Sequence, residues 1–209
     1  MANKVYIFDK LNVSRETIND LQIFKDILLK KNKKLNLISK NDEKIIDLRH
    51  IYDSAQVIDM FNKNIKNCSD LGTGSGFPGI VLSILAKHKN IKTNFLLYEK
   101  SYRKSEFLVE IINKLKLDAS VINKNILELR NLQSEIIIAR AFKPIEQIFE
   151  ILNKNFFYYK NLILFLGKKG KQTLIDASKV WDFEYKERKS LTSDDSLILN
   201  IKNLKKKIE

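Results

Sequence analysis

The ten residues Asp70–Gly79, which read Asp-Leu-Gly-Thr-Gly-Ser-Gly-Phe-Pro-Gly, constrain the fold of this chain more than any other segment. They hold four of its six glycines, and the apolar run Gly79–Leu85 follows at once. Glycines at alternate positions let the backbone turn sharply and let a ligand lie directly against it. Pro78 suits the first turn of a helix, where its missing N–H costs nothing. The segment therefore predicts an acidic strand end, a tight turn open to a small molecule, and a helix.

Short apolar runs alternate with helical patterns from Cys68 onward. The runs predicted as strands after the turn are Phe95–Glu99, Ala119–Ile122, Ile136–Ala139 and Leu162–Leu166. This alternation indicates a parallel sheet with helices on both faces. Two late runs, around Trp181–Tyr185 and Leu197–Ile201, have no long helix between them and predict an antiparallel hairpin at one sheet edge. We therefore expect an α/β core over residues 65–209.

The first part of the chain has a different pattern. Residues 14–33 carry apolar side chains at helical spacing, with Ser14 as the cap, and two further helical stretches follow Ser39 and Tyr52. These stretches contain no glycine, no proline and no strand signal. Residues 1–64 are therefore predicted to form a helical extension packed on the core.

The charge balance favours a polyanionic partner. The chain has 38 Lys and Arg against 25 Asp and Glu, a net charge of +13, and a charge of this size attracts nucleic acid at long range. No apolar run approaches the length of a membrane span, the start lacks the apolar core of a signal peptide, and the single cysteine forms no internal disulfide. We expect a cytoplasmic protein without a membrane partner.

Two nucleotide cofactors compete for the glycine turn. The spacing Gly74-x-Gly76-x-x-Gly79 matches a dinucleotide fingerprint, which would indicate an NAD(P) oxidoreductase. Against this, the turn follows the carboxylate of Asp70, which disfavours a pyrophosphate and favours a cationic group. S-adenosylmethionine carries an amino group and a sulfonium. Glu99 ends the second predicted strand, where a carboxylate accepts hydrogen bonds from the ribose hydroxyls of either cofactor.

The order of several motifs resembles the bacterial 16S ribosomal RNA guanine-N7 methyltransferases, also known as glucose-inhibited division protein B. The matching segments are Leu35–Ser39, His50-x-x-Asp53-Ser54, Asp70–Gly79, Arg103–Leu108 and Arg140-Ala141-Phe142. The resemblance covers roughly residues 20 to 170. It implies a class I, Rossmann-like methyltransferase dependent on S-adenosylmethionine. It also implies that the enzyme methylates one guanine of 16S ribosomal RNA near the decoding site, as RNA or in the small ribosomal subunit, and not DNA.

Site residues are assigned partly from the turn and partly from the resemblance. The predicted cofactor-binding residues are Asp70, Gly72, Gly74, Gly76, Phe77, Glu99, Ile126, Leu127 and Arg140. The family places a pair of residues near the adenine after the third strand. The aligned residues here, Ile126 and Leu127, depart from the family's pattern, and their backbone groups would make the contact. The resemblance also suggests side chains that position the substrate, namely Asn36, His50, Asp53, Ser54, Phe142 and Lys168.

The expected chemistry needs neither a general base nor a metal. Guanine N7 presents a lone pair in the major-groove edge and requires no deprotonation. The only prolines are Pro78 and Pro144, so the Asn/Asp-Pro-Pro-aromatic motif of exocyclic-amine methyltransferases does not occur. The alternatives left open by the residues are an NAD(P) oxidoreductase, a noncatalytic assembly factor that binds ribosomal RNA, and a methyltransferase of protein or a small molecule.

Overall fold

The computed structural model describes residues 12–208. Residues 1–11 of the predicted extension and Glu209 lie outside the described residues. The prediction that the start of the chain is not a signal peptide concerns this first segment. The first helix, α1, spans Arg15–Leu35. Its predicted cap is confirmed, because the Thr17 N–H donates to Ser14 Oγ at 3.3 Å.

The segment after α1 differs from the two continuous helices that the sequence predicts. It consists of α2 (Lys40–Glu43), a π-helical turn (Asp47–Tyr52), α3 (Asp53–Ala55) and a 3₁₀ turn (Ile58–Met60). A π-helical turn is wider than an α-helical one. The wider turn lets Ile46 and Ile51, five residues apart, both face the interior, where each is at most 1% exposed.

The central sheet has seven strands in the order β3-β2-β1-β5-β7-β9-β8. All neighbours are parallel except β7–β9 and β9–β8, which are antiparallel. The strands are β1 (Asn67–Leu71), β2 (Asn94–Tyr98), β3 (Ala119–Ile122), β5 (Ile136–Arg140), β7 (Asn161–Leu166), β8 (Trp181–Lys189) and β9 (Leu197–Lys206). The predicted α/β class and the antiparallel edge hairpin are confirmed.

Helices cover both faces of the sheet. They are α4 (Gly79–His88), α5 (Tyr102–Leu115), α6 (Ile145–Asn155) and α7 (Gly170–Val180), with a 3₁₀ turn at Ile126–Glu128. The sequence patterns do not predict α7, nor a small separate sheet formed by β4 (Leu132–Gln133) and β6 (Phe156–Tyr158). Within residues 12–208, no helix is both long enough and apolar enough to cross a membrane.

Two apolar clusters, one on each face of the sheet, fix the helices. The first joins Phe24 of α1 to Ile80 of α4 and Phe107 of α5, so the helical extension and the sheet share one core. The second packs α6 and α7 around Phe149 and Trp181, whose rings meet edge to face with centroids 5.7 Å apart. The division of the chain near residue 64 stays a prediction.

The register of the parallel strands brings their carboxyl ends to one edge of the sheet. Leu71 of β1 lies opposite Tyr98 of β2 and Ala139 of β5. The residues that follow these three positions are Gly72, Glu99 and Arg140. Because ligands of such sheets bind beyond the carboxyl ends of the strands, this edge is where a site is expected.

Gly79 and Gly167 provide a matched test of how tightly the turn packs on β1. A Cβ atom added to Gly79 would lie 2.6 Å from Asp70 Oδ2 and would also clash with Leu97, whereas nothing lies within 4 Å of one added to Gly167. We expect Gly79→Ala to lower the free energy of unfolding by about 1–3 kcal/mol, since overpacking displaces neighbours. Gly167→Ala should leave it nearly unchanged. Urea denaturation followed by circular dichroism measures both, and equal stabilities would contradict the packing described.

Candidate active site

The turn after β1 holds three glycines at positive φ, the region that glycine adopts without strain. The values are +66° at Gly72, +58° at Gly74 and +92° at Gly76. A Cβ atom at Gly72 would lie 2.7 Å from Cε2 of Phe142, so this glycine allows the close approach of a side chain. A Cβ atom added to Gly74 would lie 3.8 Å from the nearest atom, the carbonyl oxygen of Gly72. The backbone open to a ligand is therefore at Gly74.

Four backbone N–H groups of this turn donate to carboxylate or carbonyl oxygens of the protein. Gly74 N–H donates to Oε2 of Glu99 at 3.1 Å, and Gly79 N–H donates to Oδ2 of Asp70 at 2.9 Å. The N–H groups of Thr73 and Gly76 donate to the carbonyl oxygens of Tyr98 and Thr73, at 3.1 and 2.9 Å. A turn that cradles a phosphate presents such groups to the anion. Here carboxylates and carbonyls occupy them.

Asp70 lies behind the turn. Its side chain is buried, and the residue does not line the cavity that the turn opens onto. Burial raises the pKa of the Asp70 carboxyl from its ordinary value to about 6, despite the hydrogen bond from Gly79. Through its hydrogen bond from Gly79, Asp70 holds the turn against the start of α4. Gly76 does not line the cavity either. Direct contacts of Asp70 and Gly76 with the cofactor stay predictions.

A cavity of about 720 Å³ occupies the carboxyl edge of the sheet between β3 and β5. This volume is within the range of about 300–1,000 Å³ that small-molecule and cofactor sites have. Seven of the nine predicted cofactor-binding residues line it: Gly72, Gly74, Phe77, Glu99, Ile126, Leu127 and Arg140. Across residues 12–208, no group of three or more His, Cys, Asp or Glu side chains could hold a metal ion.

Glu99 stands at the end of β2 on the wall of this cavity. Besides the bond from Gly74, its Oε1 accepts the N–H of Ser101 at 2.7 Å, at the start of α5. Each carboxylate oxygen has a second lone pair, so both oxygens can accept one more hydrogen bond from a ligand. The side chain is thus held at a fixed position with acceptor capacity left over.

Arg140 joins three parts of the site. Its Nε lies 3.0 Å from Oδ2 of Asp53, its Nη1 donates to Nδ1 of His50 at 3.1 Å, and its Nη2 donates to the carbonyl oxygen of Arg49 at 2.7 Å. Two predicted substrate-positioning residues, His50 and Asp53, are therefore brought together with a predicted cofactor-binding residue. The planar fork of a guanidinium suits such a multiple grip.

His50 is held in its neutral form. Its ring stacks on Phe77, with centroids 4.8 Å apart and planes at 20°. Burial, and after it the positive charge of Arg140, lower the pKa of His50 to about 4. Because Nδ1 accepts from Arg140, the ring proton is on Nε2. Nε2 lies 3.8 Å from Oδ2 of Asp42, too far for a hydrogen bond.

Asp53 also ties the helical extension to the hairpin at the sheet edge. Its Oδ1 accepts from Gln56 Nε2 at 2.8 Å, from Ser190 Oγ at 3.0 Å and from Thr192 Oγ1 at 2.7 Å. The two hydroxyls belong to the loop between β8 and β9. The contacts with these two hydroxyls are not predicted from the sequence, because no local signal connects residues so far apart in the chain.

The other predicted substrate-positioning residues are placed differently. Phe142 lines the cavity, half-buried against Gly72. Asn36 caps the end of α1 at φ +49°, with its N–H donating to the carbonyl oxygen of Asn32. Ser54 is fully buried, and Lys168 is exposed just after β7. The last three do not line the cavity, so their contact with substrate stays a prediction.

Asp42 and Ala141 are among the lining residues of the cavity that were not predicted as site residues. Asp42 could have been found from the spacing Ser39-x-x-Asp42, a helix-start signature, because Ser39 Oγ caps α2 and donates to Asp42 Oδ2 at 2.8 Å. Ala141, between Arg140 and Phe142, has a φ of +50°. Alanine rarely adopts this conformation, and no sequence signal announces it.

Solved structures of methyltransferases share this fold. A SAM-dependent methyltransferase from Aquifex aeolicus aligns with a TM-score of 0.53 at 16% identity, covering 72% of this chain and 88% of that one. M. jannaschii TYW2 in complex with AdoMet aligns with a TM-score of 0.52 at 16% identity, covering 76% of each chain. The fold is that of the S-adenosylmethionine-dependent methyltransferases.

Sequence relatives define the family. The GidB family, described as rRNA small subunit methyltransferase G, matches residues 17–200. Proteins named ribosomal RNA small subunit methyltransferase G are 45% identical in Pelagibacter ubique, covering 94% of this chain and 93% of that one, and 35% identical in Ruegeria pomeroyi, covering 91% and 93%. The chain belongs to the GidB family of methyltransferases. The predicted resemblance is confirmed, and the alternative of an NAD(P) oxidoreductase is set aside.

Asp70 and His50 make opposite contributions to the pH dependence of stability. The pKa of His50 falls from 6.5 to about 4 on folding, so its contribution is present above pH 6.5 and is lost as the pH falls through 4. The pKa of Asp70 rises from 3.8 to about 6, so its contribution is present below pH 3.8 and is lost as the pH rises through 6. Between about pH 4 and pH 6 the two groups change the free energy of unfolding in opposite directions, so their effects cancel.

Single substitutions should expose each effect. In Asp70→Asn only the His50 effect remains, so the free energy of unfolding should rise between pH 4 and 6 more steeply than in the wild type, by up to about 1.4 kcal/mol per pH unit. In His50→Gln the same slope should change in the opposite direction. Urea unfolding at several pH values measures these slopes. Two variants with the wild-type slope would contradict the burial of both groups.

Proposed function

We propose that this protein transfers the methyl group of S-adenosylmethionine to N7 of one guanine in 16S ribosomal RNA. Membership of the GidB family gives the reaction class. The observation that carries the choice of cofactor is the pairing of the turn's N–H groups with carboxylates and carbonyls, Glu99 on Gly74 above all. An enzyme of this kind works where ribosomal subunits are found, so we also propose a cytoplasmic location.

The cavity fits a cationic methyl donor better than a diphosphate. A diphosphate at the turn would face the carboxylate of Glu99 in place of open N–H donors. An ammonium or sulfonium group gains from the same carboxylate, and Asp42 adds a second acid to the wall. Four lysines line the cavity: Lys100, Lys124 and Lys143 are exposed, and Lys104 is half-buried. Their place at the solvent side suits the phosphates of RNA.

The residues present would divide the cofactor among them. Glu99 would accept hydrogen bonds from the ribose hydroxyls with its remaining lone pairs. Ile126 and Leu127, in the 3₁₀ turn after β3, would lie beside the adenine and offer an apolar wall and backbone groups. The open backbone at Gly74 and the side chain of Arg140 on the cavity wall would hold the methionine part.

When bound, S-adenosylmethionine supplies a methyl group on a positively charged sulfur. Guanine N7 has a lone pair available, so the protein does not need to remove a proton. His50, with a pKa of about 4, is a poor base. Cys68 is buried, which raises the pKa of its thiol and leaves it unsuited to covalent attack. The protein's contribution is therefore alignment of the two reactants and exclusion of water.

Transfer of label tests the substrate. We expect the purified protein to move the labelled methyl group of S-adenosylmethionine to 16S ribosomal RNA, or to small subunits, isolated from cells that lack this activity. Nuclease digestion and mass spectrometry should then locate 7-methylguanosine at one position. Label found only in protein or in large-subunit RNA would overturn the proposal.

Glu99→Ala tests the cofactor site. We expect it to weaken the binding of S-adenosylmethionine by about 1–3 kcal/mol, because the hydrogen bonds to the hydroxyls are lost and Gly74 N–H loses its partner. Glu184→Ala is the matched control, since Glu184 is exposed on the edge hairpin and bonds only Asn203 among the described residues. Isothermal calorimetry measures both affinities. Unchanged affinity in Glu99→Ala would remove this residue from the site.

A further inference from the structure

A second cavity, of about 450 Å³, lies next to the first at the carboxyl ends of β5 and β7. The two cavities share three lining residues, Arg49, Arg140 and Ala141. The walls of the second cavity come from the helical extension, from the end of β7 and from the loop between β8 and β9. No cofactor-binding residue of the first cavity other than Arg140 lines it.

We propose that the second cavity receives the unstacked guanine base of the RNA substrate, with N7 directed towards the boundary at Arg140 and Ala141. This inference rests on the proposed function. An enzyme that acts on a ring atom of a base in folded RNA has to take that base out of its stack and hold it in a pocket of its own. The occupant is thus a purine ring attached to a polyanionic strand.

The order of the strands indicates how S-adenosylmethionine, the methyl donor, would lie along the edge of the sheet. Its nucleoside end belongs at Glu99, Ile126 and Leu127, beyond β2 and β3. Its reactive end then extends along the sheet edge past β1 to β5, which brings the methyl group to the boundary at Arg140. The next strand in the sheet is β7, and the second cavity begins there. The acceptor therefore has a pocket on the side opposite the nucleoside.

The walls of this cavity suit the faces of a planar base. Ile45 and Leu48, on the helical extension, line the cavity and are 45% and 39% exposed, which is high for large aliphatic side chains. A base that covers them removes apolar surface from water. Ser193 and Ser196 add hydroxyl groups that can donate to or accept from the base edge. Lys168 and Lys169 are exposed beside Gly167, where phosphates would pass.

The cavity is held in shape by the Asp53 contacts. The carboxylate of Asp53 binds Arg140 on one side and the hydroxyls of Ser190 and Thr192 on the other. The boundary between the cavities and the hairpin loop are thus fixed to the same residue. A pocket arranged before binding loses less conformational freedom when a base enters.

Leu48→Ser tests the apolar wall. We expect it to raise the KM for 16S ribosomal RNA about tenfold, because the apolar surface that the base covers is lost, while the Kd for S-adenosylmethionine stays within about twofold. Val109→Ser is the control, because Val109 is 44% exposed on α5 and lines neither cavity. A wild-type KM in Leu48→Ser would overturn the proposal.

Photo-crosslinking locates the base without a substitution in the protein. Small-subunit RNA that carries 6-thioguanosine at the methylated position is irradiated with the wild-type protein, and the crosslinked peptide is identified by mass spectrometry. We expect crosslinks in the segments that contain Ile45–Leu48 or Ser190–Leu197. Crosslinks confined to Lys100–Lys104 or Lys124–Leu127 would overturn the inference and leave the proposed function intact. A wild-type protein that methylates no small-subunit RNA would overturn the proposed function itself.

Discussion

The hydrogen bonds from the glycine turn to two carboxylates determine how the rest of the site is arranged. A turn with three residues at positive φ exposes N–H groups that must find acceptors. Asp70 binds the N–H of Gly79 and thereby fixes α4 against β1, while Glu99 binds the N–H of Gly74 and joins the turn to β2. Charge-assisted bonds of this kind are stronger than bonds between neutral groups. These two hydrogen bonds, from Gly79 to Asp70 and from Gly74 to Glu99, together fix the position of the open backbone at Gly74.

Arg140 has a comparable role on the other side of the cavity. A largely buried guanidinium such as that of Arg140 is unfavourable unless its charge and its donors are matched. Asp53 supplies the charge, and Nδ1 of His50 and a backbone carbonyl accept two further bonds. These partners come from the helical extension, so the extension completes a site whose other residues belong to the sheet. The neutral state of His50 is a consequence, because a protonated ring could not accept the bond from Arg140.

Local signals predicted most of the fold. Ser14 and the apolar spacing after it defined α1, and the glycine turn defined the junction of β1 and α4, because these signals depend on neighbouring residues only. The π-helical turn at Asp47–Tyr52 was missed, since its spacing fits neither regular helix nor strand. The bonds of Asp53 to Ser190 and Thr192 join residues far apart in sequence, and only the folded chain reveals them.

The acid before the turn was expected to select a cationic cofactor by attracting it. The structure supports the same preference through a different interaction. Asp70 is buried and does not line the cavity, so its carboxylate is not exposed to a ligand there. Its carboxylate removes the Gly79 N–H from the set of donors that a diphosphate would need, and Glu99 removes that of Gly74. The glycine spacing that suits a dinucleotide is thus compatible with a methyl donor, because the neighbouring carboxylates already accept the N–H groups that a diphosphate would bind.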